Sequence, residues 1–479
     1  MDQREGNGLM SIAKPEFHFF NIESHWLNEG EKRFDAEYYA KDTVAARVLI
    51  EKLRTKGIRI EKIQSFAVRV FWPGRFKRSY TKKDNGLPFF TPTESFLFLP
   101  KTRKYLSDSP KDVKVDNNWI LITRSGTVGR CLISTSIFKN AILSDDLIRL
   151  IPKKESNYGY LYAYLNTWLG QAYLTKNQYG ATVKHIEPHQ IIESPVPIFE
   201  DIENEVQRKI VKVFKLREEA QDLLIKAGAC LYDELNLPII DETKQMYLQG
   251  FQETKFQVFE ISSNDLNKRF DASYHIPTIR QIQKNLDECQ IKIESIGENI
   301  EKISLPPRFK RPYVKNPENG VRYIRPSDLP LIKTFERLYL AKKFKNAKQY
   351  ELQENEVLIV TDGTIGWVSI VTPVIAGNYG SNNFARLTCS SNLNSGYLLA
   401  FLQSPYGQYQ LKREIYGGVI DHLTEDHITN VRIPIPSQDI QKRIGKNVIE
   451  AFTKRDEANI IEQEAIEMIE KSGERLSSE

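Results

Sequence analysis

The sequence predicts an α+β protein in which two globular units, each a compact twisted β-sheet with helices, alternate with two long helices. Three observations predict it. RSGTVGR around Arg124, soon followed by SDDLIRLIP, recurs as TDGTIGW around Thr361, soon followed by SNNFARLTC; Gly126 and Gly363, like Ser144 and Ser381, lie 237 residues apart. Short β-branched runs bounded by turns cluster around each copy, and each copy ends in a stretch of about 30 residues with apolar positions alternately four and three apart, the coiled-coil pattern. A repeat of so long a period makes each copy a folded domain. The expected division is 1–200 for the first globular unit, 201–236 for the first long helix, 237–254 for a linker, 255–437 for the second unit and 438–479 for the second long helix. Features kept in both copies report what the shared scaffold needs, and differences report where the copies specialised.

The units open with KRFDAEYYAKD at Lys32 and KRFDASYHIPT at Lys268, where Arg33 and Asp35 read as an ion pair at a helix start. A helix ending at Gly57 is expected to bury Val44, Val48 and Leu49, and Pro277 opens the equivalent helix with Ile279, Ile282 and Leu286. Two basic-aromatic clusters follow, PGRFKRSY at Pro73 and PPRFKRPY at Pro306. Arg75, Lys77, Arg78 and Tyr80 thereby correspond to Arg308, Lys310, Arg311 and Tyr313, an arrangement that suits phosphate contacts with a stacking ring. A solvated charged loop is the competing explanation, against which the recurrence in both copies weighs.

Asn85-Gly86 and Asn319-Gly320 mark turns. Strands are then expected at WILIT, CLIS and LIRLI, and at VLIVT, WVSIV and FARLT. Gly126, Gly129, Gly363 and Gly366 supply positive φ angles to the connection between the first two of each set. No Gly-Lys-Ser/Thr follows, which excludes a Walker loop. Arg124, Thr127 and Arg130 in one turn face Thr361, Thr364 and Trp367 in the other, so the same turn is expected to offer two half-sites different chemistry. One helix per copy is expected from Gly159 and from Gly396, with Leu161, Tyr164, Leu165 and Trp168 in the first core. Lys184 and His185, and His422 in the other copy, follow a glycine-rich turn; a DNA-facing or hydrogen-bonding histidine is favoured over a His185–His189 metal pair, because no acidic or thiolate ligand is placed to complete a site.

The long helices carry Val206, Ile210, Val213, Ala220, Leu224, Ala227 and Leu231, and Ile444, Val448, Ala451, Ala458, Ile461, Ala465 and Met468. Each stripe is interrupted by one arginine, Arg217 or Arg455, so the two helices are expected to pair in one register. Rods of roughly 45 Å compare with one ~34 Å turn of duplex DNA.

The order of RFDAEYY, GTVGR, a histidine before PVPI, and EVQRKI opening a long helix, all in two copies, resembles the specificity subunit of a type I restriction-modification system. The resemblance implies two target-recognition domains, each reading half of a bipartite double-stranded DNA site. It further implies an antiparallel coiled coil that spaces them and docks two DNA adenine methyltransferase subunits, joined by restriction or translocase subunits where the system cleaves. The candidate DNA contacts are Arg75, Lys77, Arg78, Tyr80, Arg124, Thr127, Arg130, Lys184, His185, Arg308, Lys310, Arg311, Tyr313, Thr364 and His422, with base readout expected in the non-matching loops 101–118 and 332–355. No catalytic residue, metal or cofactor is expected: the chain lacks an NPPY-like methyltransferase motif and a Rossmann-type glycine loop. The alternative is a self-contained modifying or cleaving enzyme, for which Glu242-Thr243-Lys244 and Glu253-Thr254-Lys255 have a nuclease-like ExK form but no preceding acid.

Composition sets the outer limits. With 67 basic and 62 acidic residues the net charge of +5 allows a nucleic-acid partner only through local patches. Cys131, Cys230, Cys289 and Cys389 are scattered, which points to a reducing, cytoplasmic setting. No signal-peptide pattern opens the chain and no apolar run spans a bilayer, so no membrane partner is expected.

Overall fold

The computed structural model describes residues 22–24, 26, 41–108, 113–154, 156–176, 184–240, 258–266, 269–415 and 422–478. The opening motif at Lys32, both ExK triplets, the glycine-rich turns before His185 and His422 and part of loop 101–118 lie outside them.

Each unit contains the same three sheets. In the first, Ala67–Phe71, Leu147–Pro152, Ile120–Thr123 and Cys131–Ile133 lie side by side in that order, all antiparallel. A second sheet orders Tyr80–Thr81, Tyr105–Leu106, Leu87–Phe90 and Ile142–Leu143, the last pair parallel. A two-stranded clip joins Arg59–Lys62 to Pro195–Ile198. The second unit repeats these orders with Ile300–Ser304, Phe384–Cys389, Val357–Val360 and Val368–Ile370; with Tyr313–Val314, Leu338–Ala341, Gly320–Ile324 and Tyr379–Gly380; and with Ile293–Ser295 against Arg432–Pro434. The single compact sheet expected per unit is thus two four-stranded sheets and a clip. The central strands Ile120–Thr123 and Val357–Val360 are buried throughout, which explains solid apolar runs without alternation.

Arg149 and its counterpart Arg386 sit mid-strand in these cores. Arg149 is fully buried and donates to the carbonyls of Leu143, Ser144, Leu147 and Val113, so its charge is met by main-chain oxygens across both sheets.

Local expectations were corrected in three places. The helix Lys41–Thr55 buries Ala46, Ile50 and Leu53, while Val48 is exposed. The stretch from Gly159 is two helices, Tyr158–Leu165 and Trp168–Thr175, because the Thr167 hydroxyl caps the second by accepting from Gly170 N; Ser404 caps Pro405–Arg413 in the same way. The break turns Trp168 partly outward. Gly86 and Gly320 have extended backbones, so the Asn-Gly pairs do not form a φ-positive hairpin turn. Their glycines are needed for closeness instead: a Cβ on Gly86 would sit 2.7 Å from the Leu106 carbonyl oxygen.

The long helices are Glu200–Leu235 and Gln438–Ser478, of 36 and 41 residues. At ~1.5 Å per residue they run about 54 and 61 Å, longer than expected. Acids at Glu200, Asp201 and Glu203 suit the positive end of the first, and Asn236 in the left-handed conformation (φ 48) closes it before Pro238. The pair is antiparallel. Arg475 meets Asp201, Lys209 meets Glu464, Lys212 meets Glu457, Lys454 meets Glu219 and Arg443 meets Glu234, so numbers rise on one helix as they fall on the other. Exposed pairs of this kind contribute ~0–1 kcal/mol each and serve orientation more than stability.

Val206, Ile210 and Val213 pack into the first unit together with Ala458, Ala465 and Ile469 from the far end of the second helix. Leu224, Ala227 and Leu231 join Ile444, Val448 and Ala451 in the core of the second unit. Each helix therefore serves both units.

Candidate nucleic-acid interface

In each unit one short segment, Ser144–Asp145–Asp146 or Ser381–Asn382–Asn383, ties the basic loop to the glycine turn. Arg78 Nη2 donates to Asp145 Oδ1 at 2.8 Å, and its guanidinium lies 5.1 Å from the Phe89 ring. Burial alone would lower the Arg78 pKa, but the Asp145 carboxylate raises it. In the second unit Arg311 donates to the Tyr323 hydroxyl at 2.7 Å and to Asn382 Oδ1 at 3.1 Å. Phe76 and Phe309 plug their loops into small apolar clusters. The first two cations of each loop, Arg75 and Lys77, Arg308 and Lys310, are left exposed, with Tyr80 and Tyr313 at the adjoining strand.

On the other side of the segment lies the glycine turn. Gly126, Gly129, Gly363 and Gly366 have φ of 73°, 85°, 80° and 91°, which only glycine adopts readily. Thr127 and Thr364 are exposed at the tips. Ser125 Oγ donates to Asp146 at 2.7 Å and lies 2.9 Å from His185 Nδ1; in the second copy His422 Nδ1 meets Asp362 Oδ1 directly at 2.5 Å. Lys184 is half-buried beside the first of these histidines. Basic loop, segment, turn tip and histidine are thus brought together in each unit. Asp145 and Asn382 are buried as anchors for Arg78 and Arg311, so the partly exposed members of the segment are the Asp146 carboxylate, which only accepts hydrogen bonds, and the Asn383 amide, which donates and accepts; the second unit adds the Asp362 carboxylate beside its histidine. Asp145, Asp146, Asn382 and Asn383 were missed as site residues, although SDD and SNN stood at equivalent places in the repeat.

Two candidates belong elsewhere. Arg124 is buried, donates to Glu187 Oε1 at 2.5 Å and stacks 4.1 Å from the Trp72 ring, so it braces the turn from behind. Arg130 crosses to the second unit and stands 4.6 Å from the Phe335 ring, its pKa lowered by burial and by Arg325. The expected contrast between Arg130 and Trp367 at two half-sites is instead a contrast at the seam between units. Residues 332–337 also leave the expected readout loop for that seam.

The seam is built from equivalent residues. Leu97 bridges Leu331, Phe98 N donates to the Pro330 carbonyl at 2.7 Å and Ile332 N to that of Phe96 at 3.0 Å. A pseudo-twofold axis passes here. On one side Arg130 and Lys333 flank Phe335. On the other, Trp367 and Lys101 line a cleft of about 400 Å³ in which Phe98, Leu99, Leu329 and Phe452 are joined by charged and polar residues including Glu94, Lys104 and Gln403.

Among the described residues no group of three or more His, Cys, Asp or Glu is placed to hold a metal, and no helix is long and apolar enough to cross a membrane.

Residues 73–226 and 302–471 each match the family model for the type I restriction modification DNA specificity domain. No curated protein matches the chain. Among solved structures, the S subunit of a type I restriction-modification system from M. genitalium aligns over 88% of this chain and 94% of its own, at 13% identity and a TM-score of 0.31. The HsdS subunit from Thermoanaerobacter tengcongensis aligns over 88% and 96%, at 12% identity and 0.27, and the type IIG restriction endonuclease BpuSI over 36% and 28%, at 10% identity and 0.26. Superposition at these scores is loose, so membership rests on the two domain matches. Covering both copies of the repeat and most of both long helices, they show that the chain belongs to the type I restriction-modification DNA specificity family.

Proposed function

We propose that this chain is the specificity subunit of a cytoplasmic type I restriction-modification complex, with each globular unit reading one half of a bipartite site in double-stranded DNA. The observation that carries this is the recurrence of one assembly, exposed cations beside a glycine turn and a histidine, in two units joined at a seam and by an antiparallel helix pair. Arg75, Lys77, Arg308 and Lys310 supply phosphate contacts, and Tyr80 and Tyr313 stack or edge the groove. Thr127, Thr364, His185 and His422, with the partly exposed Asp146 and Asn383 beside them, face base edges, where a carboxylate suits the cytosine amino group and an amide suits adenine. Arg78 and Arg311 hold their loops in place for this.

The helix pair spaces the units and docks two DNA adenine methyltransferase subunits, which carry the catalysis; restriction subunits join where the system cleaves. The chain itself performs no chemistry. Incubating the purified chain with duplex DNA, Mg²⁺ and S-adenosylmethionine tests the division of labour. Salt-sensitive binding without methylation or cleavage is expected, and cleavage or methylation by the chain alone contradicts it.

A further inference from the structure

Beside the seam, on one side of the pseudo-twofold axis, five polar side chains meet. Lys333, from the second unit, is 4% exposed and uses all three of its N–H donors: to Tyr162 Oη at 3.0 Å, to Asn166 Oδ1 at 2.7 Å and to Glu462 Oε1 at 3.1 Å. Tyr162 and Asn166 belong to the first unit and Glu462 to the second long helix. Glu462 also accepts from Arg217 of the first long helix at 2.8 Å and from the Tyr162 hydroxyl at 2.6 Å. Both units and both helices therefore converge on one carboxylate.

Three of the counterparts across the axis are apolar: by the repeat, Lys333 corresponds to Leu99, Tyr162 to Leu399 and Glu462 to Leu224, while Asn166 corresponds to the polar Gln403. Only Arg217 has a charged counterpart, Arg455, and that one is satisfied by its neighbour Asp456 at 2.8 Å and by the Phe98 and Phe452 rings. Leucine contacts are non-directional and tolerate sliding, whereas buried charged hydrogen bonds are satisfied in one geometry and penalise all others.

We infer that Lys333 is a positioning residue that fixes the orientation of the two recognition units, and thereby selects the half-site separation the chain accepts. This rests on the bipartite reading proposed above. Lys333→Met is the informative variant, because it removes the ammonium yet leaves Glu462 paired with Arg217 and Tyr162, so the fold is expected to survive. Once the half-sites are mapped, full-length native and variant chains are titrated with duplexes carrying both half-sites at the native separation, or one base pair shorter or longer. A duplex with one half-site serves as reference, and melting temperature is followed in parallel.

The native chain is expected to discriminate against the altered separations. Lys333→Met is expected to lose that discrimination by about tenfold, the scale of one charged hydrogen bond, with single-half-site affinity unchanged. Undiminished discrimination in the variant, whether or not its melting temperature falls, overturns the inference and leaves Lys333 a stabilising residue only. A native chain indifferent to separation sinks the bipartite reading itself.

Discussion

The two sides of the seam are built from equivalent positions and solved oppositely. One side places Arg130 over Phe335 and closes on Arg217, Lys333, Glu462 and Tyr162; the other places Trp367 with Lys101 and lines its interior with Leu99, Leu224 and Leu399. The apolar side follows the ordinary logic of burial, while the polar side must satisfy two cations with one anion. Burial disfavours the charge on Glu462, yet Arg217 and Lys333 hold its pKa far below the usual carboxylate range. Burial lowers the pKa of Lys333 despite Glu462, and Glu462 with Tyr162 raises that of Arg217 against the same penalty. Duplication gave the two sides one scaffold, and the difference lets each half pair with the other in a defined way.

The sharpest way to break the comparison is Glu462→Ala, which strands Arg217 and Lys333 in the interior and is expected to destabilise the chain by about 3–5 kcal/mol. Converting the polar side to the apolar one, with Arg217→Met, Lys333→Leu, Glu462→Leu and Tyr162→Phe together so that no buried hydroxyl is left without a partner, is expected to be neutral or stabilising. Urea midpoints of the three proteins check both; a Glu462→Ala midpoint equal to native removes the cluster from the stability balance.

Acid should act on the Glu462 cluster. Because the folded pKa of Glu462 is depressed, its contribution is complete above its unfolded pKa, near ~4.3, and is lost as pH falls below that toward the folded value. Thermal melts between neutral pH and pH ~3 should show this loss in the native chain and a shallower loss in Glu462→Gln.

The basic loops allow a parallel comparison. Arg75→Ala with Lys77→Ala should weaken binding to all duplexes and reduce the log–log salt slope by about 2, and Arg308→Ala with Lys310→Ala should do the same. An unchanged slope for either pair removes that loop from the interface. The smallest effect is expected at the anchors. Asp145→Asn gives the first loop the amide that the second uses, and the Arg78 side chain is more than a third exposed, so the change should stay under ~1 kcal/mol by hydrogen exchange of residues 75–80.

Much of the scaffold could be read from the residues. Ile210, Val213, Leu224 and Ile444 announced a seam because burial along a helix has a period that spacing records, and Gly126 or Gly363 announced a turn because glycine adopts a positive φ more readily than other residues. The unread parts depended on elements distant in the chain. Glu462 looks like any surface glutamate until the stagger of the two helices sets it against Arg217 and Lys333. Arg124 and Arg130 looked like ligand-facing cations because a turn sequence does not say which side faces solvent. Thr167 was missed as a cap inside an apolar run, and the break at Ser404 was missed too, although Ser404-Pro405 is a sequence signal for a helix start. The pairing of Arg78 with Asp145 joins loops 67 residues apart in sequence, beyond the reach of any local pattern.

The central claim is that two units held in fixed relation read two separated half-sites. Mapping N6-methyladenine across the host genome, with this chain present and with its coding sequence deleted, tests it most directly. A motif of two short defined halves around a fixed unspecified gap, lost on deletion, is the predicted result. A methylation pattern unchanged by deletion, or a lost motif that is continuous, contradicts it.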